Sequence, residues 1–250
     1  MAGVALEQVI HPDDPRLAAL SRLLNQTFPD PNSVLGLDRI QEFLTANAAD
    51  GPRHFCVLVA SRNPPGVIGG TIFSYVQKSN CGFSEYLVLD RAFRAKGLGR
   101  GLFERRKAIL DALAGRHAQA ACRGLFIEVD NPHRTPAELA KAERETSLEA
   151  TERLRLFEHL GFRRVDIAYV QPALAADKAP VNYLDLLFAA WDAGVAHLGR
   201  IPSEWIVDTV EAIWSAWTPK TYARHLADLR DHVRGTKVDL VDPLAGLRAK

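Results

Sequence analysis

Hydrophobic positions along the chain change period several times, and each change marks an element. Residues 4–10 predict a first strand. Asp14-Pro15 opens a helix through about Phe28, with Leu17, Leu20 and Leu24 at helical spacing. PDPNSVLG separates it from a second amphipathic segment near 37–47. HFCVLVAS, 54–61, is short, apolar and β-rich; an NPPG turn at 63–66 joins it to VIGGTIFSYV, and the pair reads as a hairpin. CGFSEYLVLD, 81–90, is the next strand. RAKGLGRG follows at 94–101, and a helix runs from about Leu98 to Ala114, with Leu98, Leu102, Ile109 and Leu113 on one side and Gly115 as its stop. GLFIEVDNP, 124–132, is a further strand ended by Asn-Pro.

A long helical region comes next. Thr135-Pro136 with Glu138 reads as a capping-box start, and the pattern runs to Leu160 with Gly161 as cap. Thr146 and Glu149 form a second capping box, which predicts a break near 145–148. FRRVDIAYVQP and VNYLDLLFAAW are two closing strands. In the tail, Ser203 caps a helix with Ile206, Val210, Ile213, Trp214 and Trp217 on one stripe. Thr218-Pro219 restarts a helix carrying Tyr222, Leu226, Leu229 and Val233. GVAHLGRIP breaks the pattern, so we expect one domain over 1–192 and a helical extension over 193–250, packed on that core or on a dimer mate. The Trp stripe has core spacing; recognition of an acceptor is the other reading.

Composition narrows the class. A length of 250 residues suits one core plus an elaboration. Hydrophobic content of 47% and charged content of 24% are ordinary for a globular protein. A net charge of +1 lacks the basic excess expected of a nucleic-acid or anionic-membrane partner. No run approaches the ~18 apolar residues of a membrane helix, and MAGVALEQVIHPDDP lacks a signal peptide's basic and apolar regions. Cys56, Cys81 and Cys122 are widely spaced, with no CxxC pair, so neither a disulfide framework nor a metal site is expected. They read as small buried apolar residues in a reducing, cytoplasmic setting.

RAKGLGRG carries the most specific chemistry. A helix N-terminus leaves four N–H groups unpartnered and carries roughly half a positive charge. Glycines let an anion approach that backbone closely. Arg94, Lys96 and Arg100 add charge at the same place. A tight strand–helix connection with solvated cations is the alternative. The GxxxxGK[ST] loop is absent, and Gly97, Gly99 and Gly101 do not meet GxGxxG.

With its preceding strand and following helix, RAKGLG resembles the R/Q-x-x-G-x-G/A acetyl-CoA motif of the GNAT superfamily, the GCN5-related N-acetyltransferases. RLRLFEHLGF is similar to that family's LYxxxGF helix, and the order of elements also matches over roughly 4–190. The resemblance implies an α+β fold: a mixed, mostly antiparallel sheet flanked by helices and splayed at the cofactor-binding strands. It implies acetyl-CoA as acyl donor, with no metal. Main-chain groups of Lys96, Gly97, Leu98, Gly99 and Arg100 would hold the pyrophosphate, with charge from Arg94, Lys96 and Arg100. The strand edge Leu87, Val88 and Leu89 would face the pantetheine arm, and Phe157 would stand at the tyrosine position of LYxxxGF.

Acetyl transfer to an amine needs a base for the ammonium. Glu85 and Glu128 are the candidates, with a structural ion pair to Arg155 or Arg163 as the alternative for Glu128 and an exposed strand position as the alternative for Glu85. Alternation places Glu85, Leu87 and Leu89 on one face, and Phe126, Glu128 and Asp130 on one face of the neighbouring strand. Phe157 has no proton to give, and Ala150 stands where the family often has asparagine. Tyr86, Tyr169, Tyr183 or water would then protonate the leaving thiolate. The charged stretch 133–153 would border the acceptor pocket or be a surface elaboration. These features point to direct transfer to a small, cationic amine in a ternary complex. The alternatives are a protein lysine or N-terminal acetyltransferase and a non-catalytic acyl-CoA-binding module.

Overall fold

The computed structural model describes residues 3–47, 51–64, 66–218, 221–233 and 235–247. Pro65 of the NPPG turn, Pro219 of the second tail helix and both chain ends of the expected domains lie outside the described residues.

The first half is a helix pair on an antiparallel meander. Strand β1 (Ala5–Val9) leads to helix α1 (Pro15–Thr27), whose first turn is fixed by the Asp14 carboxylate accepting from the Arg16 N–H. Helix α2 (Leu37–Ala46) buries Ile40, Phe43 and Leu44. Strands β2 (Arg53–Arg62), β3 (Gly66–Val76) and β4 (Cys81–Leu89) follow. Helix α3 (Leu98–Arg116) passes through Gly115, a residue that costs a helix only about 1 kcal/mol. Its end is set instead by His117, whose N–H bonds back to Ala114 and Gly115, and by Ala118 at φ 58°.

The second half comprises β5 (Gly124–Asp130), α4 (Ala137–Thr146), α5 (Ala150–His159), β6 (Phe162–Val165), β7 (Leu184–Ala190), α6 (Ala193–Leu198), β8 (Arg200–Pro202), α7 (Ser203–Trp217), α8 (Tyr222–His232) and β9 (Lys237–Val241). All these strands join one sheet in the order β1-β2-β3-β4-β5-β7-β6-β9-β8. Every pair is antiparallel except β4–β5.

Several details depart from the sequence reading. The helix break falls at 147–149, but Thr146 does not cap α5. It ends α4, and its hydroxyl donates to the carbonyls of Thr27 and Ala142. Glu149 is the cap, accepting from the Glu152 N–H. Thr135 likewise bonds the Asn131 carbonyl rather than capping α4. Ser203 is already helical and donates to Gly235. The expected strand 162–172 stops at Val165, and an irregular segment continues from there. The tail adds α6, β8 and β9 to the expected helices.

Two apolar layers enclose the sheet. Leu17, Leu20 and Leu24 of α1, Ile40 and Phe43 of α2, and Ile206, Val210 and Ile213 of α7 cover one face. Leu98, Leu102, Ile109, Leu110 and Leu113 of α3, with Leu154 of α5, cover the other. The tail tryptophans belong to the first layer. Trp205 packs on Phe188 (6.4 Å between ring centres), Trp214 on Tyr169 (5.8 Å) and Trp217 on Phe83 (5.9 Å).

Candidate active site

The single parallel pair is also where the sheet opens. β4 and β5 pair only over Gly82–Ser84 and Leu125–Ile127. Beyond that point β4 stays with β3 as far as Leu89, and β5 stays with β7 as far as Asp130. The strands diverge around a narrow cavity of about 100 Å³. Ser84, Glu85, Tyr86 and Leu87 line it from β4, and Ile127, Glu128 and Asp130 from β5. Arg106, Arg153, Phe157, Gln171 and Trp217 complete much of the wall.

A bulge shapes the β4 side. Ser84 faces Phe73 and Tyr86 faces Ile72, which leaves Glu85 as an extra residue without a β3 partner. Glu85 therefore turns to the α1–α2 face beside Tyr86, toward Arg53 and Ser74, whereas Leu87 and Leu89 pack on the α3 face. The expected common face of Glu85, Leu87 and Leu89 fails because the bulge resets the alternation. On β5, Glu128 reaches Tyr169, placing it on the same face as Glu85.

The two glutamates have different surroundings. Glu128 accepts from the Tyr169 hydroxyl at 2.5 Å and the Gln171 amide at 3.2 Å. Burial pushes its pKa up to about 8, against the pull of the Tyr169 hydrogen bond and with help from the charges of Glu85 and Asp130. The Glu85 side chain is 1% exposed. Its Oε1 accepts from Ser74 at 2.8 Å and pairs with Arg53 at 3.1 Å, while Oε2 has no partner. Burial raises its pKa to about 7, with Arg53 working in the opposite direction. Asp130 pairs with Arg153, which also holds Glu143 at 3.1 Å.

No tyrosine hydroxyl among the three candidates is idle. Tyr169 serves Glu128. Tyr86 donates to the Ser33 carbonyl and accepts from the Leu35 N–H, both at 2.9 Å. Tyr183 donates to Asp30 at 2.5 Å. Phe157 lines the cavity and packs edge-on against Phe162.

The glycine turn lies at the open end of β4. Gly97 is the helix cap at φ 75°, a left-handed value that disfavours a side chain, and no side chain caps α3. The N–H groups of Leu98, Gly99 and Arg100 thus open the helix without a side-chain acceptor. Arg94 ties the turn to its neighbours: its guanidinium donates to the carbonyls of Leu89 at the end of β4 (3.1 Å) and Thr146 at the end of α4 (2.9 Å). Lys96 and Arg100 are exposed, the first bonded to the Ala92 carbonyl and the second to Glu104.

The stretch 133–153 lies beside this opening. Thr135, Leu139 and Glu143 line a smaller cavity with Asp30 and Tyr183, and it shares Phe28, Ser33 and Asp130 with the first. Sequence reasoning missed Arg106, Arg153 and Gln171. Arg106 had a visible signal, a cation four residues after Leu102 on the apolar stripe of α3. Arg153 and Gln171 had none.

A mixed sheet opened at its parallel pair, with an uncapped glycine-rich helix start beside the opening, is the architecture of an acyl-CoA-dependent transferase. Residues 17–142, just over half of the chain, match the Acetyltransferase (GNAT) family, and the chain belongs to that family. It is an N-acetyltransferase in class, and acetyl-CoA is the family's donor. Among solved structures, a GNAT-family protein from Bacteroides thetaiotaomicron is 18% identical, with a TM-score of 0.50 over 78% of this chain and 94% of its own. The ribosomal-protein-S18-alanine N-acetyltransferase from Escherichia coli is 14% identical, with a TM-score of 0.45 over 75% of this chain and 93% of its own. The spermidine N-acetyltransferase from Vibrio cholerae, solved with CoA and spermine, is 13% identical, with a TM-score of 0.47 over 75% and 94%. At these identities the likeness concerns the fold. No curated protein matches the chain. No helix among the described residues is long and apolar enough to cross a membrane.

Proposed function

We propose that the chain transfers an acetyl group from acetyl-CoA to the amine of a small cationic acceptor, by direct attack in a ternary complex. The observation that carries this reading is Glu128, a carboxyl with a pKa near 8 on the wall of the cavity between the diverging strands. Such a group takes a proton from an ammonium far more readily than an ordinary carboxylate. Tyr169 and Gln171 hold it in one orientation.

The pyrophosphate would sit on the N–H groups from Gly97 to Arg100, with Lys96 and Arg100 supplying mobile charge and Arg94 a fixed one. Leu87, Val88 and Leu89 would present their free main-chain edge to the pantetheine arm, with Phe157 as an apolar wall. The amine nitrogen attacks the thioester carbon, its proton passes to Glu128, and the C–S bond breaks to release coenzyme A. With the three tyrosines committed, water would protonate the thiolate. Glu85 is the second candidate base, through its unpartnered Oε2.

A cationic acceptor is supported by Asp30, Asp130 and Glu143 around the adjoining cavity, three carboxyl groups set against the single cation Arg153. A cavity of only about 100 Å³ favours a small amine over a protein chain. We place the enzyme in the cytoplasm, since all three cysteines are free and buried. Residues 193–250 we read as an extension that completes the core. The test is thiol release from acetyl-CoA across a panel of diamines, polyamines and amino sugars. Amine-dependent release that falls in Glu128→Gln supports the proposal. Binding of coenzyme A without release for any amine contradicts it.

A further inference from the structure

Arg106 is a cation in a place built for an aliphatic residue. It follows Leu98 and Leu102 on the core-facing stripe of α3, and it is 1% exposed. A buried charge is expensive unless an anion compensates it. Arg53 and Arg153, whose side chains are almost as enclosed, have that compensation: Arg53 pairs with Glu85, and Arg153 with Asp130 and Glu143. Arg106 has none. Its Nη1 donates to Ser84 at 2.6 Å and Thr71 at 3.2 Å, two neutral hydroxyls. Its Nε and Nη2 have no partner among the described residues.

Those two atoms form the side-on edge of the guanidinium, the fork that matches a carboxylate with two parallel hydrogen bonds. Arg106 also lines the cavity between β4 and β5. It approaches from the α3 face, about 12 Å along the helix from the glycine turn. The glutamates approach from the opposite face.

We propose that Arg106 is the receptor for a carboxylate carried into this cavity by a substrate. Resting on the acyl-CoA reading above, the inference extends the enzyme's chemistry to ligands with a negatively charged end. The nearer source is an acyl donor with a terminal carboxylate, such as a succinyl thioester, since Arg106 shares its face of the sheet with the phosphate turn. The other source is an acceptor with its own carboxylate, an amino acid. With a carboxyacyl donor the step balances as before: the amine nitrogen bonds the thioester carbon, the C–S bond breaks, and the distal carboxylate is unchanged. Burial lowers the Arg106 pKa to about 9, with the charge of Glu85 partly offsetting this, so the side chain is still a cation at neutral pH and lacks only its anion.

The donor arm of the test uses calorimetric titration with succinyl-CoA, with butyryl-CoA as a neutral partner of equal carbon count and with free coenzyme A. The acceptor arm reads thiol release from acetyl-CoA with a pool of amino acids against a pool of their amides. In the wild type the carboxylate form should win by about 10- to 100-fold in one arm, and the arm identifies the source. Arg106→Leu should erase that preference, read as the ratio between the carboxylate and neutral forms, and Arg106→Lys should restore part of it. Equal behaviour of both forms in both arms overturns the inference even if Arg106→Leu fails to fold, because it is read on the wild type. A preference that survives Arg106→Leu overturns it as well. Failure to bind free coenzyme A would instead defeat the acyl-CoA reading itself.

Discussion

Replacing Glu128 by Gln separates the chemistry from the fold. The amide oxygen can still accept from Tyr169, and the side chain keeps its volume, but it cannot take a proton. With a pKa near 8, about one Glu128 in ten is ionised at pH 7. The wild-type kcat/KM should therefore rise about tenfold per pH unit below 8 and bend over above it. The variant should lose about 10²- to 10⁴-fold in turnover, and the limb near pH 8 should vanish while the acceptor amine's own limb remains. Stability should move the other way. Between pH 4.5 and about 8 the unfolded chain releases the Glu128 proton while the folded chain retains it, so rising pH destabilises the wild type through this residue. Glu128→Gln has no such loss, and its stability advantage should grow across this range to on the order of a few kcal/mol by pH 8, seen as a widening gap in Tm. Thiol-release kinetics and thermal melts at half-unit pH steps read both effects. Unchanged turnover with the same limb in the variant would refute Glu128 as base.

Substitutions at Arg53 with Glu85, at Gly97 and at Trp217 probe the frame around it. Arg53→Met should destabilise the fold by about 3–5 kcal/mol by stranding Glu85, and Arg53→Met with Glu85→Gln should recover much of the loss in urea unfolding. A Cβ at Gly97 meets nothing within 4 Å, so Gly97→Ala should cost only about 1 kcal/mol from its left-handed backbone, yet weaken coenzyme A binding measurably in calorimetry. Trp217→Ala removes the ring packed on Phe83 and part of the cavity wall; a loss of about 3–5 kcal/mol and a raised KM for the amine are expected from melts and steady-state kinetics.

The sequence disclosed the elements that local chemistry dictates. Asp14-Pro15 and the Leu17, Leu20, Leu24 stripe give α1, and the run from Cys81 into RAKGLG gives the strand–turn–helix of the phosphate turn. The bulge at Glu85 was hidden because it arises from the register between β3 and β4, not from any residue type. The Glu128 environment was equally hidden. Tyr169 and Gln171 lie in a segment whose composition reads as a strand, and only folding turns both toward β5. Arg106 was legible and overlooked: a cation on an apolar stripe is a signal from sequence alone. Strands β8 and β9 are short, and the pairings of β9 with β6 and of β8 with β9 come from across the tail rather than from local pattern.

The central claim is that coenzyme A enters the sheet between β4 and β5 with its pyrophosphate on the start of α3. A crystal structure of the enzyme with coenzyme A tests it most directly. The account predicts pyrophosphate oxygens about 2.7–3.2 Å from the N–H groups of Leu98, Gly99 and Arg100, with the pantetheine arm along Leu87–Leu89. Coenzyme A bound elsewhere, with the gap beside Glu128 empty, would contradict it.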